Sequence, residues 1–485
     1  MNALNARNLL RLFPTHSEPS LDRYWQVTQL CLLILPFNTL LGGVSLFVNS
    51  AVLWGRYANQ FVQSLLNQVL VLLGAWMVII ALFSDRKDLS LPGLLNFLPF
   101  FVVFIAQSFL FREARQLRQL AMLLVMPSVP ISILAIAQVL WGWNFHWKIL
   151  SIGGGDGVIL DWVLHPGGVP LGRASSLFYY ATILASYLVM TFTVSVGLWT
   201  DAMAQPLKAS QIKSDEMRSL GSRIGRGLGQ WFGERLFQSR LGLMVVVMLN
   251  AIALFLTQSR NAWGIALGMV VLFAVLMGYR WVIGLVTSLV VAVLEAAYAP
   301  PPLNGWFRTV LPRQIWGRVN DELFLGRPVE TLRLTQWKFA ASMMQQKPLT
   351  GWGLRNFSML YEAATHYYMG HPHNLMLMLA CEMGIPATVV FYAIVGVVVG
   401  RGVQLVGRLS AFEGRSLVMI VLAFLGCTVF SFFDVPIFDA RINLLGWMLL
   451  AGIWGVVQRA TAIDSTGVRG AREGLGGEGL GNIWD

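Results

Sequence analysis

Apolar runs recur along almost the whole chain, at 63–84, 89–111, 119–141, 176–199, 241–257, 261–279, 281–300, 385–403, 416–433 and 441–459. A helix rises about 1.5 Å per residue, so runs of about 20 residues suffice to cross a hydrocarbon core about 30 Å thick. A β-barrel would read instead as short alternating segments. The pattern therefore predicts an all-α polytopic membrane protein. The stretch 25–55 is apolar but short for two full spans. Pro36-Phe37-Asn38 supplies a turn within it, which predicts two short or tilted helices. The expected total is then about twelve passes.

Charge orients these helices, because short cytoplasmic loops are enriched in Lys and Arg. Segment 200–240 carries Lys208, Lys213, Arg218, Arg223, Arg226, Arg235 and Arg240, and is expected in the cytoplasm. The same rule puts Arg112, Arg115 and Arg118 on that side, together with Arg401, Arg408 and Arg415. Residues 1–24 then form a cytoplasmic N-terminus, 25–300 and 375–460 the two helical blocks, and 461–485 a flexible Gly-rich cytoplasmic tail. The outer face receives 142–175, the joint Gln258–Arg260 and a large loop at 301–374.

Composition agrees. The 485 residues are 56% hydrophobic and only 12% charged, whereas soluble domains carry about 25% charged residues. Cys31, Cys381 and Cys427 all fall in apolar runs, so neither a disulfide framework nor a thiolate metal site is expected. The net charge of +11 is accounted for by topology, which leaves membrane lipids and no nucleic acid as the expected contacts.

Polar chemistry collects on the outer face. The large loop holds Arg308, Arg313, Arg318, Arg327, Arg333 and Arg355 with Lys338 and Lys347, against Asp321, Glu322, Glu330 and Glu362. Guanidinium forks bind phosphate in bidentate fashion, so an anion site competes with plain contact to anionic headgroups. Arg260 stands between two apolar helices in Thr257-Gln258-Ser259-Arg260, at the end where positive charge is otherwise disfavoured. Arg173 stands similarly, just before a span. His371-Pro372-His373-Asn374 opens the next apolar run. The fixed φ of Pro372 suits a helix start, and a helix N-terminus would keep His373 neutral and fit to act as a base. His366 and His371 lie near in sequence, but no carboxylate or thiolate completes a metal ligand set, so no metal and no cofactor are expected.

These motifs resemble a known family. His373-Asn374 followed after nine residues by Gly384 is similar to the signature of bacterial O-antigen ligases. Thr257-x-Ser259-Arg260 resembles the arginine motif of the wider O-antigen ligase and polymerase superfamily. Arg333-Leu-Thr-Gln-Trp337, Lys347-Pro-Leu-Thr-Gly-Trp-Gly353 and Asn356-Phe357 are similar to that superfamily's large periplasmic loop, and Arg173-Ala-Ser-Ser-Leu-Phe178 to its element before the preceding helix. The ligase signature usually carries Gly, Thr or Tyr three residues after its glycine; here Ala387 stands there.

The resemblance implies a GT-C-like glycosyltransferase in a bacterial inner membrane, with its active site facing the periplasm and both termini in the cytoplasm. The donor it implies is O-antigen polysaccharide on undecaprenyl diphosphate; the acceptor is a sugar hydroxyl of lipid A–core. Transfer would be inverting and metal-independent. His373 is then the expected base, Arg260, Arg173 and Arg333 the diphosphate contacts, and Asn374, Gly384, Ser259 and Trp337 their support. An O-antigen polymerase or a protein O-oligosaccharyltransferase would use the same donor. A lipid-linked glycan transporter is the alternative from a different class; it would place ionisable groups near the bilayer midplane, where only Glu295 and Glu382 stand out.

Overall fold

The computed structural model describes residues 14–151, 158–204, 236–237, 239–320 and 328–476. Most of the 200–240 loop, residues 1–13 and residues 477–485 lie outside the described residues, as do Asp321, Glu322 and Arg327.

The 25–55 stretch forms two helices, α1 (Asp22–Ile34) and α2 (Thr39–Phe61). Asn38 turns the chain between them, its side-chain oxygen accepting from Leu41 N at 2.7 Å. Gly42 lets the pair close, since a Cβ there would sit 2.6 Å from Leu35 Cα. At 13 residues α1 is only about 20 Å long, short of the hydrocarbon thickness. There follow α3 (Leu65–Phe83), α4 (Lys87–Gly93), α5 (Leu98–Ser108), α6 (Ala114–Leu140), α7 (Ala181–Ala204), α8 (Arg240–Leu256), α9 (Arg260–Met277) and α10 (Arg280–Tyr298). The expected 89–111 run is interrupted by a 3-10 turn at Leu94–Asn96, next to Gly93, where a Cβ would meet Leu354 Cβ at 2.7 Å.

The large loop is built of short helices: α11 (Leu303–Val310), α12 (Arg313–Val319), α13 (Arg333–Gln346) and α14 (Asn356–Thr365). The chain ends with α15 (Leu375–Val406), α16 (Ala411–Phe430) and α17 (Ala440–Gly476). The last helix runs on past residue 461, into the segment that composition marks as a tail. Among the described residues nine helices are long and apolar enough to cross a membrane, and α8 falls just short at 17 residues. The one sheet among them is a hairpin of β1 (Phe145–Ser151) with β2 (Val158–Leu164), antiparallel, within the 142–175 segment. Hydropathy did not announce it.

The core is helix on helix. α7 packs between α8 and α16, and α17 lies along α5. Buried polar pairs fix the register, as expected where no water competes. Asn250 of α8 accepts from Thr191 of α7 at 2.8 Å and donates to Ser128 of α6 at 3.0 Å. At the end opposite the large loop, the fully buried Asp201 pairs with Arg118 and, at 2.7 Å, with Arg415 Nε.

Candidate active site

Two groups of side chains meet at the end of the bundle that carries the large loop. The first is basic. α8 and α9 are joined by the short turn Thr257–Ser259, with Gln258 in the left-handed region at φ 51°. The 172–174 segment docks on this turn: Ala174 N donates to Leu256 O at 2.9 Å, and Gln258 Nε2 to Gly172 O at 2.7 Å. Arg173 Nε donates to Thr257 O at 2.8 Å, which sets its guanidinium beside the turn that begins α9 at Arg260. Arg333 opens α13; with the Asn261 amide turned so that its oxygen faces the guanidinium, that oxygen accepts from Nη1 at 2.8 Å and Nη2 at 3.3 Å. The three expected arginines thus converge on the first turn of α9. Ser259 is the buried residue preceding that helix, without a side-chain capping bond. Trp337 lies one turn along α13 from Arg333, and its indole N–H is buried with no partner among the described residues.

The second group is built on the starts of α15 and α17. Asn374 caps α15, its Oδ1 accepting from Leu377 N at 3.0 Å. His373 therefore precedes the cap, with φ 50°, and is not in the helix. Its ring meets a carboxylate. Leu375 N donates to Ser431 O at 2.8 Å and joins the α15 start to the turn after α16. That turn carries Asp434, whose Oδ1 lies 3.1 Å from His373 Nδ1. A carboxylate only accepts, so Nδ1 carries the proton and Nε2 holds the free lone pair.

Asp434 is suited to this. Burial alone would raise its pKa, but the His373 hydrogen bond, the adjacent imidazoles and the Val435 N–H outweigh it and hold it at about 2. His371 completes the group, its ring edge-on to that of His373 with centroids 4.5 Å apart. Its Nδ1 accepts from His373 N at 3.2 Å, and its Nε2 faces Asp434 Oδ1 at 3.9 Å. Burial, then His373, pushes its pKa down to about 4 against the pull of Asp434, and the charge of Arg333 adds to the lowering. His371 stacks on Phe438 at 5.7 Å, and Arg355 lies over the same ring at 5.8 Å.

Gly384 serves this geometry from below. It breaks α15 at φ 81°, ψ 162°, and a Cβ there would sit 2.2 Å from Leu349 O. The 348–353 loop lies against the break: Ile385 N donates to Pro348 O at 2.8 Å, Trp352 N to Cys381 O at 3.0 Å and Gly353 N to Glu382 O at 2.8 Å. The buried Glu382 carboxylate accepts from Phe357 N at 3.1 Å, at the start of α14, so its partner is a helix end. Ala387 is buried one turn beyond the break.

Sequence reasoning missed Asp434. Its signal was a lone acid among Ser431-Phe-Phe-Asp434-Val-Pro436, between two apolar runs and on the outer side by alternation. Ligand atoms of His371, His373 and Asp434 lie within 4.8 Å of one another, so the carboxylate that a metal set needs is present after all. Their hydrogen-bond roles work against an ion there. His371 Nδ1 takes a backbone N–H, so the proton of the neutral ring sits on Nε2, the nitrogen facing Asp434. An ion would have to reverse that tautomer and break that bond. His366 is exposed at the end of α14 and is not part of the group.

The end of the bundle that carries the large loop thus holds a His–Asp pair, with His373 partly exposed, and a group of arginines at the start of α9. Residues 243–392 match the family model for O-antigen ligase, which supports membership of the O-antigen ligase and polymerase superfamily and glycosyltransferase activity of that type. The match takes in Arg260, Arg333, His373 and Gly384; Arg173 and Asp434 lie outside it. No curated protein matches the chain.

Proposed function

We propose that the protein is an O-antigen ligase of a bacterial inner membrane. It moves O-antigen polysaccharide from undecaprenyl diphosphate to a sugar hydroxyl of lipid A–core at the periplasmic face, with both termini in the cytoplasm. The observation that carries the reading is the His373–Asp434 pair, at the same end of the bundle as the grouped Arg173, Arg260 and Arg333. His373 Nε2 takes the proton of the acceptor hydroxyl as that oxygen forms its bond to the anomeric carbon. The bond from that carbon to the phosphate oxygen breaks, and the diphosphate leaves with the electron pair. Preorganised arginines take up the charge that develops on the leaving phosphate, with no metal required. A single displacement inverts the anomeric centre; a covalent intermediate would need a carboxylate nucleophile, and Asp434 is engaged with His373.

Ala387 departs from the ligase pattern and keeps polymerisation as the second reading, with a lipid-linked repeat as the acceptor. The test supplies purified protein with lipid-linked O-antigen and either lipid A–core or a second lipid-linked repeat. Capping of lipid A–core supports ligation; elongation of the repeats in its place moves the assignment to a polymerase.

A further inference from the structure

We propose that His371 is a positioning residue for the base: it holds the backbone that sets His373 against Asp434, and through that pairing the nitrogen that His373 presents to the acceptor. This rests on reading His373 as the base.

His373 sits at φ 50°, a conformation that an L residue with a side chain as large as imidazole rarely adopts. Something outside the residue must hold it. The only hydrogen bond of the His373 N–H among the described residues goes to His371 Nδ1, at 3.2 Å. The same ring turns its Nε2 toward Asp434 Oδ1, the oxygen that also receives His373 Nδ1–H. His373 hydrogen-bonds this oxygen, and His371, at 3.9 Å, faces it without a hydrogen bond. Asp434 stays an acceptor, and the His373 lone pair is confined to Nε2, away from the carboxylate. Phe438 backs the His371 ring and keeps it from rotating out.

The imidazole accepts from the His373 N–H on one side and turns its other nitrogen toward the carboxylate. Asparagine reproduces the acceptor, because its Oδ1 occupies the place of Nδ1, but it does not reach Asp434. Leucine keeps the bulk and reproduces neither.

The experiment compares His371→Leu and His371→Asn with the parent chain and with His373→Ala, using lipid-linked O-antigen and lipid A–core. In His371→Leu, kcat is expected to fall at least tenfold while the donor KM stays within twofold. His371→Asn is expected to recover part of that loss. Nitrogen-15 spectra of histidine-labelled protein, which has six histidines, report the tautomer directly. The Nδ1–H form of His373 should dominate in the parent chain and give way to a mixture in His371→Leu. Parent-like kcat or an unchanged tautomer in a folded His371→Leu overturns the proposal; if that variant does not fold, His371→Asn with parent-like kcat and a mixed tautomer does so. His373→Ala separates the two levels: if it stays active, the base reading itself falls, and if it is dead while His371→Leu is normal, only the role of His371 falls.

Discussion

At the scale of single residues, the site depends on one carboxylate that has no sequence neighbour in common with the base. Asp434 and His373 are 61 residues apart and meet because α15 and the turn after α16 share a backbone hydrogen bond. Replacing Asp434 by Asn removes the charge and lets an amide N–H face His373 Nδ1, so the Nδ1–H tautomer is no longer enforced. The expected loss in kcat is about 100-fold, within the range for general-base assistance, with donor binding retained. Steady-state kinetics on purified Asp434→Asn checks it.

His371 adds a pH signature. Its pKa in the folded chain is about 4, below the ordinary 6.5, so the unfolded chain binds more protons between those values. Stability is then fully present above about 6.5 and declines as pH falls toward about 4. The thermal midpoint of the parent chain should drop more between pH 7 and pH 5 than that of His371→Asn, as thermal unfolding at the two pH values will show.

These residues also show what was legible in advance. Arg260 and Arg173 stood out because a cation at the outer end of an apolar helix is unusual. His373 stood out by its place at the edge of an apolar run. Asp434 did not, because its meaning lies in a contact that spacing along the chain does not encode. His373 itself precedes the helix, since Asn374 takes the capping position.

At the scale of elements, α15 is two helices joined at Gly384, and the break is what lets the 348–353 loop lie against it. Hydropathy placed the span itself at 385–403, beyond the break, with the apolar run from Leu375 read as the start of a helix. That first segment is a helix, and it carries the cap that follows His373. Ala at residue 384 would meet Leu349 O and adopt a backbone region open essentially to glycine. Gly384→Ala should therefore destabilise the chain by about 1–3 kcal/mol and lower turnover, measured as a reduced thermal midpoint and kcat. The turn at Asn38 was readable from Pro36-Phe37-Asn38, as turn residues are. The β1–β2 hairpin was not, because the 142–175 segment was read only as a connection on the outer face.

At the scale of the whole molecule, the helical architecture was legible because the bilayer demands long apolar runs. The pairing of those runs was not, since it is set by buried polar contacts such as Asn250 with Ser128 and Asp201 with its two arginines. The charge-based orientation makes its own prediction. The three native cysteines are buried, so single introduced cysteines give a clean readout. Tyr368→Cys, at a residue 68% exposed beside the site, should react with a membrane-impermeant maleimide from the outside. Met203→Cys, at a residue 51% exposed at the far end of α7, should react only after permeabilisation. The reverse pattern would invert the topology and put the site in the cytoplasm.

The central claim is that His373, oriented by Asp434, is the base in transfer of O-antigen from a lipid diphosphate. The most direct measurement is transfer from lipid-linked O-antigen to lipid A–core by purified protein, alongside His373→Ala. The account predicts a ladder of capped lipopolysaccharide that is lost in His373→Ala while donor binding persists. Parent-like transfer by His373→Ala would contradict it.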